Sequence, residues 1–201
     1  MKKSTIARTV AAVLAVAAST PAFAHIGVAG HIHGFADGLT HPISGLDHIL
    51  AMVAVGMFAV NLGGRALWLV PTTFVLMMAA GGELGVSQIE LPFVEIIIAA
   101  SVIVLGAAVA LRLPLPAAAA MAVVGLFAVF HGYAHGAEMP VDASGAQFAA
   151  GFMIATALLH IVGIGIGLGF VRTGGATSAR LNQVGGTVMS LAGVGLLTGW
   201  L

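Results

Sequence analysis

Long apolar runs alternate with short polar or turn-forming breaks from residue 42 to the end of the chain. Each run is long enough, or nearly so, to cross about 30 Å of hydrocarbon as a helix that rises about 1.5 Å per residue. A helix is required because the bilayer interior offers no partners to unpaired backbone groups. The six predicted transmembrane helices are 42–60, 66–80, 93–111, 115–131, 148–171 and 184–200.

The segment before this region has the pattern of a secretory signal peptide. Three basic residues precede a short apolar run at 9–18, and an Ala-Phe-Ala sequence follows it. The run is too short to span the membrane, which disfavours the alternative of an uncleaved first helix. We therefore expect residues 1–24 to be removed, which leaves His25 as the amino terminus. The remainder, 25–201, is then a single six-span domain that begins with a histidine-containing leader at 25–40.

The composition agrees with a membrane protein and excludes several other classes. Hydrophobic residues make up 60% of the chain and charged residues 7%, and the mean hydropathy is +1.11. A typical soluble domain has about 45–50% apolar and about 25% charged residues. An ordinary cytosolic enzyme and a disordered chain are therefore excluded. The equal numbers of basic and acidic residues, 7 each, exclude a nucleic-acid-binding protein. The absence of cysteine excludes disulfides and thiolate metal sites.

The few charged residues alternate in sign between successive breaks. Arginines follow the first, third and fifth helices, and acidic residues follow the second and fourth. By the positive-inside rule the arginine side is cytoplasmic. A signal peptide independently puts the mature amino terminus outside. We therefore expect an all-α, six-helix transmembrane bundle in the lipid of a bacterial inner membrane, with both mature termini in the periplasm. The arginines are Arg65, Arg112, Arg172 and Arg180, and the acidic residues are Glu83, Glu90, Glu138 and Asp142.

Histidines concentrate in the outer half of this predicted bundle, together with the carboxylates. Imidazole and carboxylate donors without thiolates suit a borderline divalent transition-metal ion, and nickel, cobalt, copper and zinc all accept this ligand type. No organic cofactor is expected. The histidines are His25, His31 and His33 in the leader, His41 and His48 at the start of the first helix, His131 and His135 at the end of the fourth, and His160 within the fifth.

Two groups of these residues recur at helical spacing. His41 and His48 are seven residues apart, which corresponds to two turns along one helix face, and Asp47 adjoins His48. Ionisable residues inside a membrane helix are costly unless they meet a cavity, a partner or an ion. A hydrogen bond between helices would explain any single histidine, but two such groups together favour metal binding. The second group, at i, i+4 and i+7, is His131, His135 and Glu138.

Two further candidates come from histidines outside these groups. His160 is interpreted either as a ligand along an ion pathway or as a contact within the bundle. In the leader, the amine and imidazole of His25 could chelate one ion together with His31 or His33, since a metal ion can displace protons from these groups near neutral pH. The alternative is a flexible, glycine-rich leader without a metal site.

Both groups lie in segments that resemble the signatures of a known family. Residues 41–48 read HPISGLDH and match the pattern HPxxGxDH of the HupE/UreJ family of nickel/cobalt permeases. Residues 130–138 read FHGYAHGAE and are similar to the second family signature, FHGxAHGxE. The resemblance covers essentially the whole chain. It implies import of Ni²⁺ or Co²⁺ from the periplasm and a partner system in hydrogenase or urease maturation. The positions it marks as important are His41, Asp47, His48, His131, His135 and Glu138.

The hypothesis from the sequence is a metal importer. The ion is concentrated by the leader and the acidic outer surface, and then passes to a site between the first and fourth helices. We expect this site to contain His48, Asp47, His131 and His135, with Glu138 at its rim. No nucleotide-binding motif is present, so the chain itself does not couple transport to ATP.

Three alternatives remain at this point, and the oligomeric state is not determined. The first is a membrane sensor or buffer that binds metal without conducting it. The second is a metal-dependent membrane enzyme, although Gly132 stands where the HExxH motif of zinc proteases has its catalytic glutamate. The third is a haem protein with two histidine ligands.

Overall fold

The computed structural model describes residues 34–139 and 143–201, and over these residues the chain is all-helical. The predicted signal peptide at 1–24 and the leader histidines His25, His31 and His33 lie outside the described residues. The helices are α1 (Phe35–Ser44), α2 (Leu46–Leu62), α3 (Ala66–Val86), α4 (Val94–Ala110), α5 (Ala117–Glu138), α6 (Ala143–Arg172) and α7 (Gly175–Leu197).

Each predicted apolar run lies largely within one long helix, from α2 to α7. The helix ends follow the turn chemistry of the breaks: α2 ends before Gly63, whose φ of 68° suits glycine, and α5 begins after Pro116. The largest difference between the predicted and the observed helix bounds is in α7, which begins at Gly175 and not at residue 184. The hydropathy pattern assigned residues 177–183 to a loop, because most of them are polar, but they form the first turns of α7.

The first predicted helix is wrong in one respect: it is not continuous. α1 and α2 meet at an angle of 84°. Gly45 separates them in an extended conformation, with φ −96° and ψ 124°, and glycine has a low helix propensity. Pro42 lies inside α1 and does not begin a helix. His41 and His48 are therefore on two different helices and not on one face of a single helix.

The lengths and composition of these helices support some of the six predicted membrane crossings but not all of them. α3, α5 and α6 are long and apolar enough to cross a membrane, and α1 with α2 qualifies as one bent span. α4 is apolar but has 17 residues, and α7 is less apolar. Several long apolar helices are typical of a multi-pass membrane protein. The prediction of an all-helical fold is confirmed, whereas six crossings remain a prediction.

α3 and α5 form the closest helix pair, and glycines make the approach possible. A methyl group added at Gly132 of α5 would collide with the carbonyl oxygen of Met78 in α3, and one at Gly136 would also meet the α3 backbone. Gly81 and Gly85 make the reciprocal approach from α3 to the α5 backbone. Small residues four apart allow membrane helices to pack backbone against backbone. These contacts bring the second histidine segment against the bundle.

α2 runs through the centre of the bundle and packs against α6. Residues 51–60 of α2 are all buried. Gly56 lies against the carbonyl of His160, and Gly163 lies against the backbone of α2. α6 has four glycines at alternate positions, and Gly163 and Gly167 lie against α2. Gly165 and Gly169, on the other side of the helix, have no described neighbouring atoms within 4 Å of an added Cβ. Of these four, only Gly163 and Gly167 therefore serve helix packing.

Candidate metal centre

Three imidazoles converge where the start of α2 meets the end of α5. His48 Nε2 lies 3.3 Å from His131 Nδ1 and 2.5 Å from His135 Nε2. All three side chains are buried: His131 is 0% exposed, His48 5% and His135 8%. His131 and His135 share a face of α5 because they are four residues apart. We call these three residues the histidine cluster.

Hydrogen bonds on the far side of two rings determine which nitrogens face the centre. His48 Nδ1 lies 3.0 Å from Asp47 Oδ1, a carboxylate that can only accept, so this nitrogen carries the proton. Ser101 Oγ donates to the Ile98 carbonyl at 2.6 Å, which leaves the oxygen to accept from His131 Nε2 at 2.9 Å. In the neutral rings, His48 Nε2 and His131 Nδ1 are therefore unprotonated and point toward each other.

Converging unprotonated imidazole nitrogens are the donor arrangement that a borderline divalent ion binds. Two nitrogens bound at about 2.0–2.1 Å to one ion are about 2.8–3.4 Å apart, for bond angles between about 90° and 109°. The 3.3 Å between His48 and His131 falls in this interval. The shorter distance to His135 would have to increase by several tenths of an ångström. The residues present therefore fit a metal ion with a modest movement of one ring.

A second group adjoins the histidine cluster at its outer side. His41, His135 and Glu138 each offer one ligand atom, and these atoms lie within 4.8 Å of one another. His41 is half-buried and Glu138 is exposed, as expected for a residue at the rim. The bend at Gly45 explains how His41 reaches α5, because it turns α1 across the end of the bundle. His135 thus belongs to both groups and connects the outer group with the histidine cluster.

Aromatic rings border both groups. The Phe152 ring centroid is 4.5 Å from that of His135 and 6.1 Å from that of His48, and the Phe148 ring is 5.5 Å from His41. Phe74 lies 5.7 Å from His131 on the inner side. Apolar rings exclude water, and electrostatic interactions are stronger in such surroundings. These rings were not predicted as part of the site, although Phe148 and Phe152 stand four residues apart.

Two small residues that support the cluster were also missed. Ser101 is fully buried and holds the ring of His131, and its only sequence signal is a lone hydroxyl in an apolar run. Gly45 leaves room for the pair beside it, since an added Cβ would lie 2.7 Å from Asp47 Oδ1 and 3.2 Å from His48 Nδ1. Glycine is therefore favoured at position 45 for two reasons: it interrupts the helix, and it leaves space for the Asp47–His48 pair.

A cavity of about 140 Å³ reaches the histidine cluster from between α3, α5 and α6. His135 contributes to its wall, together with Glu83 and the methionines Met78, Met139 and Met153. An acidic side chain at such a cavity favours a cation. His135 is thus accessible from this side although its ring is buried.

The structure brings together six of the predicted site residues and separates one. His160 is buried in α6, where its ring lies 5.2 Å from that of Phe74 and outside both groups. The three leader histidines are outside the described residues. The six residues that come together are His41, Asp47, His48, His131, His135 and Glu138.

Comparison with known proteins shows the family to which the chain belongs. The family model described as HupE / UreJ protein matches residues 12–196. The protein named Protein HupE from Rhizobium leguminosarum bv. viciae is 47% identical over 199 residues, which cover 99% of this chain and 100% of that protein. No solved structure matches the chain. Both histidine motifs lie inside the matched region, and their side chains meet in one site. The chain therefore belongs to the HupE/UreJ family, a transporter-type family concerned with metal ions.

Proposed function

We propose that this protein imports Ni²⁺, with Co²⁺ as a related substrate, across the bacterial inner membrane. The observation that carries the proposal is the convergence of His48, His131 and His135 between apolar helices, with the unprotonated nitrogens of His48 and His131 directed inward. Membership in a family associated with nickel and cobalt supports the choice of ion. The same association supports a hydrogenase or urease maturation system as the recipient of the metal.

The side chains take different roles in this proposal. The three imidazoles of the histidine cluster bind the ion directly. Asp47 is a positioning residue: it holds His48 Nδ1 and compensates part of the ion's charge without bonding to the ion. His41 and Glu138 receive the ion first and transfer it through His135, which belongs to both groups. Neutral imidazoles with one or two carboxylates leave part of the ion's charge uncompensated, so the ion can also be released.

The orientation in the membrane follows from the charges at the helix ends. Arg65 follows α2, Arg112 follows α4 and Arg172 ends α6. Glu83 and Glu138 lie near the carboxyl ends of the intervening helices α3 and α5. With six crossings, the arginine ends face the cytoplasm and the histidine cluster lies near the periplasm. Removal of residues 1–24 would then expose the leader, where His25, His31 and His33 concentrate the ion before it reaches His41.

The test is uptake of Ni²⁺ into proteoliposomes that contain the purified protein and an internal metal-sensitive dye. We expect uptake by the wild type, and at least a tenfold lower initial rate for His48→Ala and for His131→Ala. The matched control is Leu126→Ala on α5, a side chain that is exposed on the outer surface of the bundle. Full uptake by both histidine variants would refute the proposal. Binding without uptake by the wild type would instead support a sensor or buffer.

A further inference from the structure

A stripe of side chains runs along α6 from the site toward the interior of the bundle. Its members, Phe148, Phe152, Thr156 and His160, stand four residues apart and therefore share one helix face. The outer two are the rings that contact the metal site. Thr156 Oγ1 contacts Met78 Sδ at 3.8 Å. The stripe thus begins at the proposed ion site and ends at His160.

His160 differs from the other buried histidines, His48, His131 and His135, because neither of its ring nitrogens has a hydrogen-bond partner among residues 34–139 and 143–201. Its side chain is 2% exposed. A buried polar group without a partner is costly, and native proteins rarely retain one without a reason. Leucine would fill similar space without this cost. A ligand that reaches the imidazole during function is a physical reason for a histidine here.

The position of His160 relative to the histidine cluster is inward. The Phe74 ring contacts both sides, with its centroid 5.7 Å from that of His131 and 5.2 Å from that of His160. On α2, the residue against His160 is Gly56, eight positions after His48. Eight residues of helix correspond to about 12 Å. The Phe74 ring therefore connects the cluster with a second imidazole that lies deeper in the same bundle.

We propose that His160 is a second binding position for the transported divalent ion, which it receives from the histidine cluster. This inference rests on the proposed transport function. One imidazole, with the Thr156 hydroxyl and the Met78 thioether one turn further out, is a weaker donor set than the cluster. Conduction requires several sites of moderate affinity, since an ion held too tightly at one site does not leave. His160 then acts after capture and contributes little to the affinity measured at the outer site.

The decisive variant is His160→Leu, which removes the donor nitrogens and keeps an apolar side chain of similar size. In detergent, we expect its Kd for Ni²⁺ by calorimetry to stay within twofold of the wild type. In proteoliposomes, its initial rate of Ni²⁺ uptake should fall at least tenfold. His160→Cys restores a single donor in a chain that otherwise has no cysteine, and should recover at least a third of the wild-type rate. The matched control is Ile161→Ala, the next residue, which is 59% exposed.

The outcomes separate this inference from the transport function itself. If wild-type protein takes up Ni²⁺ and His160→Leu does so within twofold of its rate, His160 is not on the ion path, and the transport function stands. If both His160 variants lose uptake equally and also lower the melting temperature, the residue is structural and the inference is overturned. If the wild type takes up no Ni²⁺ into the vesicles, the transport function fails, and this inference fails with it.

Discussion

Replacing Asp47 by asparagine tests whether this carboxylate positions His48 or binds the ion itself. The carboxylate lies 3.0 Å from His48 Nδ1 and also accepts from the His48 backbone amide at 2.8 Å. Asparagine keeps the shape but removes the charge, and its amide can present a donor instead of an acceptor to the ring. His48 can then protonate on Nε2, the nitrogen that faces the cluster. We therefore expect weaker binding of the ion with an unchanged fold.

The expected loss of Ni²⁺ affinity in Asp47→Asn is that caused by removing the hydrogen-bond partner of a metal-bound histidine. Such partners typically contribute a factor of about 10–100 in metal affinity, which corresponds to about 1.4–2.8 kcal/mol. His48→Ala removes a nitrogen that bonds to the ion and should weaken binding more than Asp47→Asn does. The assay is calorimetric titration of the purified protein with Ni²⁺. Glu90→Gln, which removes an exposed carboxylate outside both groups, is the charge-matched control.

Two results would contradict this reasoning. A Kd for Asp47→Asn within twofold of the wild type would show that the hydrogen bond to His48 does not control the ring. A loss as large as that of His48→Ala would instead show that Asp47 bonds to the ion. The control protects against a third interpretation, in which any lost carboxylate on the outer side lowers the affinity through long-range charge alone.

Three further substitutions test the supports of the site. Ser101→Ala leaves the buried N–H of His131 without its acceptor, so we expect the unfolding free energy, measured by denaturant titration, to fall by about 1–3 kcal/mol. An unchanged unfolding free energy would show that Ser101 does not support the His131 ring. Gly45→Ala forces the Asp47–His48 pair to move by several tenths of an ångström. The Kd for Ni²⁺ should therefore rise at least tenfold, at a nearly constant melting temperature. An unaltered Kd would show that the pair can accommodate the added methyl group without a change in the site. Gly132→Ala collides with the α3 backbone and should lower the melting temperature by several degrees or abolish folded protein in detergent, whereas wild-type thermal stability would contradict the close α3–α5 packing.

The sequence alone predicts most of the helical content and names the residues of the candidate metal centre. Hydropathy marks each long helix because a helix satisfies its backbone hydrogen bonds locally, and the bilayer requires an apolar exterior. The i, i+4 spacing of His131 and His135 is likewise local, so their common face is predictable. The structure places His48 beside them, as expected from two costly polar groups at the same end of the bundle.

The tertiary structure alone decides how these side chains meet. The bend at Gly45 puts His41 and His48 on different helices, and a continuous helix would have been the expectation from periodicity. Only the α3–α5 and α4–α5 contacts reveal that Ser101 holds His131 and that the motif glycine Gly132 serves helix packing. Helix formation depends on neighbours in sequence, whereas the direction of an imidazole nitrogen depends on groups from distant segments. The residues of the candidate metal centre can therefore be predicted from the sequence, but the convergence of their nitrogens results from the packing of the bundle.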